Sequence, residues 1–232
     1  MIAAAIRAMS QVFQPAFRAI FWKSLGFTLA ALFLIWIALN GLVAGFVDLP
    51  YPWLDTALSI LTGVGAFIGL GFLVAPVTAM FAAIFQDDIA LIVEREDYPA
   101  DGPGRAMPLP ESIWLTVKFT GIVILANIFA LMLLLVPGIN LVAFFLVNGY
   151  LLGREFFEFA ATRFMPQADA KALRRAHGAT VFLAGLVIAG VLAVPILNLV
   201  TPIFATIFMV HLYKRLARGK AAAADAPPYR ST

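Results

Sequence analysis

Apolar blocks alternate with short polar stretches along this chain, and a segment of different texture precedes the first block. Ile2, Ile6, Met9, Phe13, Phe17 and Phe21 recur at helical spacing, while Arg7, Gln11, Gln14 and Arg18 form a second stripe offset from them. This pattern predicts an amphipathic helix for the membrane interface. Ser24 to Val47 carries no charge and exceeds the roughly 20 apolar residues that cross a bilayer, so it is the first expected span. Ala57 to Phe85 is the second. At 1.5 Å per residue its roughly 43 Å exceeds a hydrocarbon thickness near 30 Å, and Pro76 is where it is expected to bend.

Proline interrupts each of the two remaining blocks, 119–153 and 179–210, near its middle. Each therefore reads as a helix, a tight turn and a helix: Phe119 to Val136 with Ile139 to Gly153, then Ala179 to Val194 with Ile196 to Val210. Three of these four arms have only 15 or 16 residues, short of the roughly 17 to 25 of a full span. The turns are also dry, with Asn140 the only polar side chain between Leu135 and Phe144. These features predict re-entrant hairpins whose turn backbone is buried in protein or lines a wet cavity. Six tilted full spans are the competing reading.

The two blocks share an internal repeat. Val136-Pro137-Gly138-Ile139-Asn140-Leu141-Val142 recurs 58 residues later as Val194-Pro195-Ile196-Leu197-Asn198-Leu199-Val200. Proline ends the incoming helix, and an asparagine side chain can satisfy turn backbone that lipid cannot. Same-direction duplication can build two units around one pathway, which makes Pro137, Gly138, Asn140, Pro195 and Asn198 candidate pathway or turn residues.

Composition narrows the class further. Hydrophobic residues make up 62% of the 232 and charged residues 12%, about half the charge of an ordinary soluble domain, which excludes a water-soluble globule. There is no cysteine, so disulfides, thiolate metal sites and cysteine nucleophiles are excluded. None of the sixteen Lys and Arg residues falls in 48–55 or at either hairpin turn. The positive-inside rule then places both termini and both long loops in the cytoplasm. The net charge of +3 reads as topology and not as nucleic-acid affinity. The first 22 residues lack a signal-peptide pattern. The loop 86–111 is expected to be a helix end followed by a flexible connection. We expect one membrane domain over 1–218 and a disordered cytoplasmic tail over 219–232.

Catalytic signatures are missing: the sequence has no HExxH, GxSxG, Walker loop or complete GxGxxG. No enzyme, metal or cofactor is expected, and any transport is passive, ion-coupled or driven by a partner. Arg154 and Glu158 have the i,i+4 spacing of an ion pair. Glu155, Glu158 and His177 are the candidate proton carriers should transport be coupled. Lys118 reads as a snorkelling residue. Gly41/Gly45, Gly65/Gly69 and Gly149/Gly153 are pairs that permit close helix contact.

Taken in order, Gln14-Pro15-Ala16-Phe17-Arg18, Ala75-Pro76, Val136-Pro137-Gly138-Ile139 and Val194-Pro195-Ile196-Leu197-Asn198-Leu199, with Pro202 soon after, resemble the CysZ sulfate permease family and its etoposide-induced-protein-like group from about residue 11 to 215. The resemblance implies a multi-pass oligomer of the bacterial inner membrane, with long spanning helices and half-penetrating helix pairs. It further implies sulfate uptake for cysteine biosynthesis. The family's anion site is expected at the start of the first long helix, which assigns it here to Gln14, Pro15 and Arg18. A helix start offers free N–H groups and a positive dipole end, and arginine adds several donors suited to a tetrahedral oxyanion. Ala19 stands where the family often carries a second basic residue, and a snorkelling interfacial cation is the other reading of Arg18. A non-transporting membrane scaffold or regulator is the rival function, and a lipid-modifying enzyme a third.

Overall fold

Proline placement and apolar runs divide the chain into helices, and no strand occurs among the described residues. The computed structural model describes residues 1–46, 85–106 and 139–224, together with single positions between 53 and 84. Helix α1 spans Ile2–Val12 and α2 spans Pro15–Phe46. The predicted amphipathic helix continuous from Ile2 to Phe21 is therefore two elements. Proline has no N–H to donate and its ring clashes with the carbonyl four residues back. The chain turns at Phe13 and Gln14, where the Gln14 N–H donates to the Gln11 carbonyl at 2.8 Å, and Pro15 opens α2.

The described chain falls into two compact units, Met1–Phe17 with Gln86–Thr232, and Arg18–Phe85. In the second unit, α2 is the helix that is long and apolar enough to cross a membrane, over Pro15–Leu42. Two of its polar side chains close on its own backbone: Thr28 Oγ1 donates to the Ser24 carbonyl and Asn40 Nδ2 to the Trp36 carbonyl, both at 2.8 Å. Phe27 stacks on Phe81 and Phe85 at centroid separations of 5.7 and 6.3 Å, so a second helical segment returns beside α2. The positions described between 53 and 84 are helical; Pro76 lies outside the described residues.

The first unit contains α3 (Gln86–Asp97), a 3₁₀ turn at Pro99–Asp101, α4 (Ile139–Thr162), α5 (Gln167–Ala176), α6 (Gly178–Leu192), a short α7 (Pro195–Asn198) and α8 (Thr201–Ala224). Helix α8 forms its core. Ile203, Phe204, Ile207, Phe208, Met209 and Leu212 are buried, and α1, α3, α4 and α6 pack around it, as expected of a helix apolar on every side. Along the α4–α6 seam the backbones touch. A Cβ at Gly153 would lie 2.6 Å from the Val181 carbonyl oxygen, and one at Gly185 would lie 2.7 Å from the Gly153 nitrogen and also strike the Gly149 carbonyl.

Several boundaries differ from the sequence reading. The arm expected to end at Gly153 continues as α4 to Thr162. The expected arm Ile196 to Val210 is instead the α7 turn followed by α8, which runs through Gly219 to Ala224; residues 225–232 lie outside the described residues. The first arm of the earlier hairpin, its turn at Pro137 and Gly138, and Lys118 also lie outside them. Helix α6 has the short length expected, 15 residues, or about 22 Å. It meets α5 at 91°.

Candidate functional site

Among the described residues, polar groups gather in four constellations. The first is the start of α2. Pro15 opens the helix, where its missing N–H costs nothing, and Gln14, Pro15 and Arg18 are all exposed. Among the described residues no carboxylate pairs with Arg18. The first N–H groups of α2 lack intrahelical acceptors, so their positive dipole end and the guanidinium lie within one helical turn.

The second constellation holds α1 in place. The sequence groups Arg7 and Gln11 on one polar stripe; the structure divides it, burying Gln11 and leaving Arg7 exposed. Ala4, Ala8, Gln11 and Val12 are buried, whereas Ile2, Ile6 and Phe13 are exposed. Gln11 Nε2 donates to Asp97 Oδ2 at 2.6 Å, its Oε1 lies 2.7 Å from His211 Nε2, and the Tyr98 hydroxyl lies 2.7 Å from His211 Nδ1. Arg7 pairs with the other oxygen of Asp97. Burial holds the His211 ring well below its ordinary range, at about 4, Asp97 opposing that shift and Arg7 adding to it. One turn on, the Lys214 ammonium sits 3.5 Å from the centre of the Phe164 ring and 3.2 Å from Asp101.

The third is a buried ion pair. Arg163 donates to Glu94 through Nε at 2.6 Å and Nη2 at 3.0 Å, and also pairs with Asp87. Glu94 in turn accepts the Gly104 N–H at 2.8 Å. Gly104 must be glycine here, since a Cβ would fall 2.8 Å from that of Arg163.

The fourth contains the expected proton carriers. The predicted Arg154–Glu158 pair is present at 3.5 Å, and Arg174 of α5 closes on the same Glu158 oxygen at 2.7 Å. Glu158 is thus committed to two arginines. Glu155 is half-buried, and that burial pushes its carboxyl up to about 7 against the nearby Arg154. His177, at the α5–α6 corner, is half-buried and serves as a backbone hinge.

Part of the main chain at the hairpin tip between α6 and α8 bonds to itself. The Val194, Asn198 and Val200 N–H groups donate to the Val191, Val194 and Leu197 carbonyls, and Thr201 Oγ1 donates to the Leu197 carbonyl at 3.0 Å. The Asn198 side chain is not what closes this turn, contrary to expectation. The tip stays apolar and open, with Ile196 80% exposed and Val194 45%. Asn140 begins the second residue of α4, its side chain outside the description.

The sequence shows the Arg154–Glu158 spacing but not the His211 or Arg163 clusters. A signal existed for Glu94, which shares the apolar face of Ile89, Ala90 and Val93. Among the described residues no group of His, Asp and Glu could hold a metal ion. A family model described as sulfate transporter CysZ/etoposide-induced protein 2.4 matches residues 4–202. No curated protein matches the chain.

Proposed function

The chain belongs to the sulfate transporter CysZ/etoposide-induced protein 2.4 family, and from that premise we propose that it is an inner-membrane permease for a small inorganic anion, sulfate above all, supplying cysteine biosynthesis. The observation that carries this reading is the start of α2, where an exposed Arg18, with no carboxylate partner among the described residues, follows Pro15 at the head of the apolar helix Pro15–Leu42. Free N–H groups and a delocalised cation at one helix end suit a tetrahedral oxyanion.

In this reading α2 and the segment after it span the bilayer, with both termini cytoplasmic. The proline-tipped pairs enter without crossing, consistent with a 15-residue α6 whose tip leaves Ile196 exposed. The repeated turns at Pro137, Gly138 and Asn140 and at Pro195 and Asn198 line the pathway in a homo-oligomer. Glu155 is the favoured proton carrier if uptake is coupled, since Glu158 is bound by Arg154 and Arg174.

Purified protein in liposomes tests the proposal through entry of radiolabelled sulfate. We expect saturable flux, reduced about tenfold or more in Arg18→Ala, as loss of a charge-assisted contact of about 1.5 to 3 kcal/mol requires. Folded protein that passes no oxyanion would instead point to a membrane scaffold.

A further inference from the structure

Gln11 and His211, 200 residues apart in sequence, join the two ends of the chain through a polar ring whose hydrogen-bond directions are fixed. Gln11 Nε2 must donate, because Asp97 Oδ2 at 2.6 Å can only accept. The Gln11 amide oxygen therefore faces His211, and His211 Nε2 carries the proton between them. That leaves Nδ1 as the acceptor for the Tyr98 hydroxyl. The path runs from Tyr98 to His211 to Gln11 to Asp97, and closes because Asp97 and Tyr98 are neighbours. Each link crosses between α1, α8 and the end of α3, and Gln11 and His211 are 5% and 3% exposed.

We infer that His211 is a positioning residue: the ring holds α1 against α8 only while the imidazole is neutral, and so fixes the elbow at Phe13 and Gln14 from which α2 starts. A second ring proton would sit on Nδ1, facing a hydroxyl that needs that same nitrogen as its acceptor. Tyr98 would then have to reverse its role, its oxygen accepting from Nδ1–H and its own O–H losing that acceptor, while the added charge would lie on a ring only 3% exposed. The elbow is short and direct, since Gln14 bonds the Gln11 carbonyl and Pro15 follows at once. Arg18 stands in the first turn beyond it.

The charges acting on His211 are Asp97 and Arg7. Tyr98 caps its other nitrogen, α8 itself carries Lys214 and Arg218 held by Asp101, and α4 leads into Arg163, engaged by Glu94 and Asp87. Asp97 and Asp101 are the carboxyls of this cluster, so the test must separate them from the imidazole.

The chain has no cysteine, which allows paired nitroxide labels at Ser10→Cys on α1 and Gly219→Cys on α8, both exposed positions. Labels are attached to full-length protein in lipid nanodiscs at neutral pH, and pulsed dipolar spectra are recorded at pH 7.5 and 4. The parent protein should give one narrow distance distribution at pH 7.5 and a broad one at pH 4. The undocked fraction should rise by up to about tenfold per pH unit across the His211 titration. His211→Gln, whose amide can both donate to Gln11 and accept from Tyr98, should stay narrow at both values. Gln11→Leu, which breaks the ring without touching the imidazole, should be broad at both.

A parent distribution still narrow at pH 4, or broadening that persists in His211→Gln, overturns the inference; the second outcome assigns the change to the carboxylates. A narrow Gln11→Leu distribution also overturns it. The consequence for transport rests on the permease reading: Gln11→Leu should raise the KM for sulfate more than it lowers the maximal rate. Absence of uptake by the parent protein refutes that reading and leaves the spectroscopic outcome standing.

Discussion

Glu94 grips the guanidinium of Arg163 with both carboxylate oxygens, at 2.6 and 3.0 Å, across 69 residues of chain. Both side chains are buried, at 0% and 4% exposure, and Asp87 and the Gly104 N–H complete the cluster. Removing one member of such a pair leaves a buried charge without compensation, which costs about 3 to 5 kcal/mol. Arg163→Leu should therefore lower thermal stability in detergent sharply. Adding Glu94→Leu should restore much of the loss, because two apolar side chains need no partner. A double variant less stable than Arg163→Leu would mean that the pair contributes more than its own neutralisation.

Contact between α4 and α6 leaves no room for a side chain at Gly185, where a Cβ would strike the Gly149 carbonyl and lie 2.8 Å from Gly153 Cα. Backbone atoms cannot rotate away as a side-chain end can, so the helices must separate. Gly185→Ala should cost about 1 to 3 kcal/mol, the range for overpacking, or more. Gly190→Ala in the same helix meets nothing within 4 Å and should gain about 0.5 to 1 kcal/mol from helix propensity. Opposite shifts in melting temperature for these two alanines check the seam.

These two sites show where the sequence was legible. Uninterrupted apolar runs declare helices, so the helical class and the short α6 could be read directly, whereas the break at Pro15 falls inside the helix expected from Ile2 to Phe21, and α2 begins well before the span expected at Ser24. Gly149 and Gly153 form a visible pair, but their partner Gly185 has no companion four residues away and carries no pattern. Arg163 reads in the sequence as a loop cation that sets topology and Glu94 as one acid of the polar loop 86–111, because nothing local distinguishes a paired buried charge from a solvated one. Helix α1 was found, yet its orientation was not. Ala4, Ala8 and Val12 form an inner face too small to outweigh Ile2 and Ile6 in any hydrophobicity pattern, and the partners of Gln11 lie far along the chain. Docking by the small, polar face leaves the large apolar face free for lipid.

His211 should make stability depend on pH in a defined direction. Its folded pKa is about 4 against an ordinary 6.5, so the unfolded chain takes up a proton first as pH falls. The contribution is full above 6.5, declines below it and is lost by about 4, amounting to about 3 kcal/mol in all. Denaturation midpoints of the parent protein and His211→Gln, compared from pH 7.5 to 4, should diverge in acid in favour of the variant. Parallel curves would show that the imidazole is not responsible.

Glu155, raised to about 7 by burial, is half-protonated near neutrality, whereas Glu158 is held by two arginines. If sulfate entry is driven by protons, uptake should change across pH 6 to 8, and Glu155→Gln should flatten that profile while leaving the protein folded. Glu158→Gln should instead weaken the α4–α5 contact, lowering the melting temperature by the equivalent of about 1 to 3 kcal/mol. A pH profile unchanged in Glu155→Gln would remove this carboxyl from any coupling.

The depth of the α6–α8 wedge can be read at its tip. Ile196 is 80% exposed and Val194 45%, while the turn backbone bonds to itself through Val194, Asn198 and Val200. An apolar tip whose turn backbone bonds in part to itself suits lipid better than water, where a loop would be polar. A 15-residue α6 reaches about 22 Å, less than the roughly 30 Å hydrocarbon core. In sealed vesicles, Ile196→Cys should therefore resist a membrane-impermeant maleimide from either side and react once detergent is added. Gln14→Cys, at the exposed elbow, should react from the cytoplasmic side alone. Ready labelling of Ile196→Cys from the periplasmic side would establish a complete crossing and replace the half-penetrating hairpin with two tilted spans.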